Sequence, residues 1–271
     1  MKDNAYAFGT TAAAAARLED IGLFFNPLAA EIVRRFAPEC PETAVDLGCG
    51  PGFTTHMLAA ASGARNTYGL DSCHAFLDMA GARFGAYRFM ACDVTNMPLP
   101  VAADLMYSRF VLCHLRHPLA LVASWTTQLR LGGVLIIEEL DGIETDLEVF
   151  KTYLAMSEGI IAAEGGSLYV GRALANAQYD GDVLLNVQIE LPVPNHRAAS
   201  WFYPNTVTIW ESNPFVSEHL DGRQRDVVRE ELRRLRGVRD ATSAILWRLR
   251  RLVLRTETGS ERIPGPFSGS R

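Results

Sequence analysis

The chain has 271 residues, 48% of them hydrophobic, enough for a sizeable core in one large domain, and its net charge of −5 argues against a nucleic-acid substrate, whose binding draws on a basic surface. Its five scattered cysteines form no C-x-x-C pair and read as reduced thiols. An early acid without an apolar stretch argues against a signal peptide, and no apolar run approaches the ~20 residues that span a bilayer, so a cytoplasmic protein without a membrane partner is expected.

Residues 1–36 read as two helices, Ala12 to Leu18 and Ile21 to Phe36, interrupted at Gly22 and at Asn26-Pro27. Between 43 and 140 strands (43–47, 66–71, 87–92, 103–108, 134–140) alternate with helices (53–62, 74–84, 117–130). That rhythm predicts βαβ units and a parallel sheet covered on both faces, and the continuously apolar Leu135-Ile136-Ile137 fits such burial. Further on, 147–163 and 170–178 read as helices, Val183 to Val193 as a strand, and 195–218 as an aromatic-, Asn- and Pro-rich cover. Asp221 to Arg236 reads as a charged amphipathic helix. Its arginines are offset by Asp226, Glu230, Glu231 and Asp240, so a solvated face is expected rather than a nucleic-acid surface. In Ile245 to Arg255 the apolar parity slips around Arg250-Arg251, which predicts a β-bulge in that strand. Gly259 to Arg271 reads as a disordered tail.

The most informative segment is Val45-Asp46-Leu47-Gly48-Cys49-Gly50-Pro51-Gly52, which runs from an apolar strand into a helix. A glycine turn there lays bare backbone N–H groups against a ligand at the helix start. Asp71 follows Gly52 by about the 20 residues expected when an acid at the next strand end holds a ribose hydroxyl pair. The spacing is G-x-G-x-G rather than the dinucleotide G-x-G-x-x-G, and Asp46 would repel a pyrophosphate but favour an ammonium or sulfonium.

This segment resembles motif I of the class I S-adenosylmethionine (SAM)-dependent methyltransferases. Tyr68-Gly69-Leu70-Asp71-Ser72, Met90-Ala91-Cys92-Asp93-Val94, Ala103-Asp104-Leu105-Met106-Tyr107-Ser108 and Leu131-Gly132-Gly133 through Glu138 look like the elements that follow it. Among subfamilies the chain is most similar to the ubiquinone/menaquinone-biosynthesis type of small-molecule enzyme. The resemblance implies a Rossmann-like α/β fold with a mainly parallel seven-stranded sheet, an antiparallel last strand and a helical, aromatic cap. The domain would span 1–258, with a cap at 1–36, a SAM-binding core at 40–140, an acceptor-side insertion at 141–218 and a C-terminal helix and strand at 219–258.

The resemblance also implies SAM as cofactor. Its contacts would fall on Arg17 (the carboxylate), Asp46, Gly48, Gly50, Gly52, Asp71 (the ribose), Ser72, Asp93 and Val94 (the adenine) and Ser108. Gly48–Gly52, Asp71, Asp93 and Ser108 all fall at strand carboxyl ends, where open α/β sheets bind ligands. Arg17 can equally be a solvated helix residue.

His114, Tyr6 and Glu139 are candidate catalytic groups. His114 reads either as a general base or as a helix-start histidine bonded to backbone. Of Glu138 and Glu139, one is expected to face the acceptor, since strand neighbours alternate. Tyr6, Phe8, Phe24, Glu138, Tyr169, Trp201 and Tyr203 are candidate acceptor contacts, with Phe202, Trp210 and Phe215 in the same aromatic cover. His114-x-x-His117 is split by a helix boundary at Pro118, and no metal site is expected. The expected reaction is methyl transfer to a small, largely apolar acceptor, with C- or N-methylation of an electron-rich aromatic favoured over O-methylation. A non-catalytic SAM-binding module and an NAD-dependent oxidoreductase are the alternatives, and a homodimer is left open.

Overall fold

Strand β1 (Thr43–Leu47) is buried along its whole length, and the sheet grows from it in both directions. The computed structural model describes residues 9–238 and 243–257; Tyr6, Phe8, Asp240 and the tail from Gly259 lie outside the described residues. β2 (Asn66–Asp71), β3 (Arg88–Ala91), β4 (Ala103–Arg109) and β5 (Leu129–Glu144) run parallel to β1 or to one another. β7 (Ala244–Arg255) is antiparallel to both β5 and the edge strand β6 (Asp182–Pro194). The order β3-β2-β1-β4-β5-β7-β6 is the expected seven-stranded sheet. Helices α2 (Phe53–Ser62), α3 (His74–Arg83) and α4 (Pro118–Thr126) connect the parallel strands. No helix of the described residues is long and apolar enough to cross a membrane.

Several boundaries differ from expectation, each for a tertiary reason. The first 36 residues carry one helix, α1 (Ala12–Phe36), not two. Gly22 is buried where α1 packs on α2, and a Cβ there would meet Phe53 Cβ at 3.4 Å, an ordinary contact, so the glycine continues the helix rather than breaking it. Asn26 Nδ2 donates to the Phe53 carbonyl (3.1 Å), tying down the turn that Pro27 deprives of a donor. α4 ends at Thr126 rather than 130, because Leu129 already pairs with Ala103 and starts β5. The helix expected over 170–178 is the single turn α6 (Gly171–Ala175). The cover after 194 is helical: α7 (Asn195–Thr208, containing Pro204) and α8 (Pro214–His219).

The expected bulge is in neighbouring strands instead. β7 alternates without a slip; the extra residue is Asp141 of β5, between Leu140 (opposite Leu249) and Gly142 (opposite Arg248). A second irregularity lies between Val183 and Leu185 of β6. The apparent slip arose because Arg251 sits buried on the Trp247–Leu249 face, paired with Glu138, while Leu252 and Leu254 pack on the other.

α5 (Glu148–Ala163), α7 and α8 build the aromatic-rich cluster around Phe150, Trp201, Phe202, Trp210 and Trp247 that roofs the carboxyl end of β5 and the start of β7. α9 (Gly222–Gly237) starts from a capping box, Asp221 with Gln224, and carries exposed Arg229–Asp226 and Arg233–Glu230 pairs. These pairs make it the solvated helix its charge pattern predicts.

Candidate functional site

The carboxyl ends of β1, β2, β3 and β4 open into one cavity of about 280 Å³. Its first half is built by the glycine turn. Gly48 N–H and Cys49 N–H both donate to the Leu70 carbonyl (2.8 and 3.0 Å), bending the chain sharply off β1. Gly48 (φ +70°) and Gly50 (φ +52°) need the left-handed region for different reasons. A Cβ on Gly48 would lie 2.5 Å from Val111 Cγ2, whereas one on Gly50 would meet nothing nearer than Leu18 Cδ1 at 3.9 Å. Gly50 therefore offers open backbone to the cavity; Gly52, as the α2 N-cap, lies behind it and does not line the cavity.

Asp71 lines the cavity with both oxygens already oriented. Oδ2 accepts from Gly50 N–H and Oδ1 from Cys73 N–H, each at 2.8 Å. Burial raises its pKa against the pull of those bonds. Ser72, Asp93 and Val94 also line the cavity. Asp93 is exposed and held in an Asx turn, accepting from Thr95 N–H (2.9 Å), Thr95 Oγ1 (2.7 Å) and Asn96 Nδ2 (3.0 Å). Arg17 reaches the cavity from α1, and Leu18 beside it.

Two further expected cofactor contacts lie elsewhere. Asp46 points into the start of α2, where its Oδ2 accepts from the Thr54 and Thr55 hydroxyls (2.6 and 2.7 Å); burial pushes its pKa up to about 6. Ser108 is fully buried between Leu47 and Ile137 in the sheet and does not line the cavity. Strand alternation hands the exit from β4 to Arg109 instead.

The second half of the cavity has aromatic walls: Phe110, Tyr153, Trp201, Phe202 and Trp247. Tyr153 and Phe202 stack at 4.2 Å, and Trp201 meets Trp247 edge-on at 5.4 Å. The Trp201 indole N–H donates to Asp20, and Asn205 Nδ2 donates to Tyr153 Oη (2.6 Å), so these walls are held in place. Trp201 and Phe202 come from the predicted aromatic cover. Phe24, Tyr169 and Tyr203 do not line the cavity; their rings pack under Arg197, Arg172 and Arg236.

His114 ends a 3-10 turn (Leu112–His114) and lines the cavity. Burial, with the Arg17 cation nearby, pushes its pKa down to about 4, so the imidazole is neutral at pH 7. Glu138 and Glu139 do point to opposite faces, but neither lines the cavity. Glu138 accepts from Tyr107 Oη and Arg251 Nε, both at 2.7 Å. Glu139 Oε1 accepts from Val111 N–H (2.8 Å) and Leu112 N–H (2.7 Å), and burial pushes its pKa up to about 8. The physical reason is strand length: β5 continues to Glu144, so both glutamates sit inside the strand rather than at its tip.

Arg109 and Trp247 line the cavity without having been singled out in the sequence. The available signal for Arg109 was a lone cation ending an apolar strand. His117, exposed at the α4 N-cap, does not line the cavity. Among the described residues no three His, Cys, Asp or Glu side chains gather as a metal group.

Comparison with known proteins agrees with this geometry. The family described as "Methyltransferase domain" matches residues 45–137. The trans-aconitate 2-methyltransferase of Methylobacterium radiotolerans is 33% identical over 144 residues, 53% of this chain and 55% of that protein. Its namesake from Enterobacter sp. is 30% identical over 131 residues, 48% and 52% of the two chains. The chain thus spans about half the length of the curated relatives it matches. A candidate type II methyltransferase from Anaeromyxobacter dehalogenans superposes with a TM-score of 0.56 at 15% identity, covering 86% of this chain and 97% of that one. A candidate methyltransferase from Bacillus halodurans gives 0.54 at 13%, covering 84% and 99%. At such identities the likeness is one of fold.

Proposed function

We propose that this chain carries a class I SAM-dependent methyltransferase domain and transfers a methyl group to a small acceptor whose body is largely apolar. The observation that carries this is the continuity of one cavity from the Gly50–Asp71–Asp93 end to the five aromatic walls. An electron-rich aromatic ring, methylated at carbon or nitrogen, suits those walls. The curated relatives are named for trans-aconitate, a tricarboxylate. Among the described residues only Arg17 and Arg109 bring a guanidinium to this cavity, which disfavours so highly charged an acceptor here.

The residues present fit the cofactor: open backbone at Gly50, an oriented carboxylate at Asp71 for the ribose hydroxyls, Asp93 and Val94 for the adenine edge and Arg17 for the amino-acid carboxylate. Bound SAM supplies an electrophilic methyl group on a sulfonium sulfur. The aromatic walls exclude water and align the acceptor, a positioning effect of up to ~7–11 kcal/mol. His114, the base offered by the sequence, is neutral but with its pKa lowered to about 4 is a weak proton acceptor, which suits an acceptor that reacts without losing a proton first. Tyr6, as a second such group, rests on the sequence alone.

The test is calorimetric titration of the full chain with SAM, S-adenosylhomocysteine and NAD, followed by transfer of a labelled methyl group to a panel of small aromatics. Saturable S-adenosylhomocysteine binding and labelling of an apolar acceptor are expected. NAD binding without affinity for either sulfur compound overturns the reading.

A further inference from the structure

Three buried polar atoms on residues lining the cavity have no hydrogen-bond partner: Arg109 Nη1, Trp247 Nε1 and Ser157 Oγ. Buried polar groups are nearly always satisfied, and a buried cation without a counter-charge is costlier still. The first two atoms can only donate. Both residues border the same two aromatic rings. The Arg109 guanidinium lies 5.9 Å from the Phe25 ring centre and 5.8 Å from that of Phe110, while the Trp247 ring lies 5.6 Å and 6.4 Å from the same two rings.

Among the described residues no acid touches Arg109. The residue is 9% exposed and forms no ion pair within 4 Å among the described residues; its Nη2 donates to the neutral Asn26 Oδ1 (2.8 Å). Asp46, the acid acting on it from a distance, gives an oxygen to Thr54 and Thr55. A positive pole is therefore set into an aromatic chamber, and the missing partner must bring acceptor oxygens and negative charge.

We propose that Arg109 and Trp247 form a carboxylate subsite, so that the methyl acceptor is an apolar, aromatic monocarboxylate anchored by its acid group. This rests on the acceptor reading of the cavity above. The same donors could instead serve the carboxylate of SAM, and the experiment separates the two sources.

The full chain, loaded with S-adenosylhomocysteine, is titrated calorimetrically with a series of arylalkanoic and cinnamic acids of graded length and with their neutral amides. Acids should bind about 10- to 100-fold more tightly than the matched amides, the range of a charge-assisted hydrogen bond. Arg109→Met should abolish that preference and leave S-adenosylhomocysteine affinity within about twofold. Trp247→Phe, which removes the N–H together with the pyrrole half of the indole, should weaken the acids several-fold more than the matched amides. If no acid binds, or acids and amides bind alike, the inference is overturned while S-adenosylhomocysteine binding leaves the methyltransferase reading standing. If Arg109→Met weakens S-adenosylhomocysteine instead of the acid, the subsite belongs to the donor and the proposal fails. Loss of cofactor binding by the unmutated chain would sink the underlying reading itself.

Discussion

Glu139 offers the sharpest test of the electrostatics beneath the site. It is fully buried, one oxygen accepts two backbone N–H groups, and its pKa is raised from 4.5 to about 8. The folded protein therefore holds this proton more tightly than the unfolded chain does. As pH rises from about 4.5, the unfolded chain releases it first, and folding loses stability until the folded pKa is passed. At about 1.4 kcal/mol per pH unit, the loss is about 2–3 kcal/mol between pH 5 and 7, and it continues to pH 8. Glu139→Gln keeps the neutral shape and the oxygen that Val111 and Leu112 need, but cannot ionise. Urea denaturation followed by tryptophan fluorescence at several pH values should give nearly equal stabilities at pH 5. At pH 7 to 8 the variant should be the more stable by several kcal/mol. Asp46, raised in the same direction, slopes both proteins alike, so the difference isolates Glu139. A difference that does not change with pH would refute the reasoning, since it would mean that the carboxylate is ionised in the fold.

Further outcomes follow from the cavity's construction. Asp71→Ala should weaken S-adenosylhomocysteine binding by about 1–3 kcal/mol in calorimetry, through lost charge-assisted bonds; unchanged affinity would remove Asp71 from the site. Gly48→Ala and Gly50→Ala should separate folding from binding. Both carry the strain of a left-handed φ; the first also drives a methyl into Val111 and lowers the melting temperature further, whereas the second places its methyl in open cavity space and adds a loss of cofactor affinity. Arg251→Met should cost about 3–5 kcal/mol by stranding buried Glu138, and the double change with Glu138→Leu should recover much of it in denaturant titrations.

The parallel half of the fold was legible because each strand is a short apolar run closed by glycine or an acid. Observed β1, β2, α2 and α3 match the expected ranges to within a residue. Asp71, Asp93 and the Gly48–Gly50 turn follow, since strand ends in such a sheet converge. What stayed hidden depends on partners distant in sequence. The length of β5, which takes Glu138 and Glu139 out of the cavity, is set by pairing with β7 more than a hundred residues later. The continuity of α1 through Gly22 and Pro27 depends on Phe53. Trp247 and Arg109 read locally as a core aromatic and a strand-end charge; only their shared aromatic neighbours and unmatched donors mark them out.

Acids in these strands and in the turns after them are thus of two kinds, and the difference is which donors reach them first. Where a strand stops under the cavity, as at Asp71 and Asp93, the carboxylate takes donors from its own following turn and still faces the open space. Where protein closes over both sides, as at Asp46 and Glu139, the carboxyl gives its oxygens to the next segment and becomes a clamp on its shape. Glu139 fixes the amides of Val111 and Leu112 immediately after Phe110, which takes the left-handed φ of +57°. Arg109 enters the cavity on one side of that turn and His114 on the other. An acid outside the cavity thereby sets where its cation and its imidazole stand, which is why a residue misread as a catalyst still governs the geometry of the site.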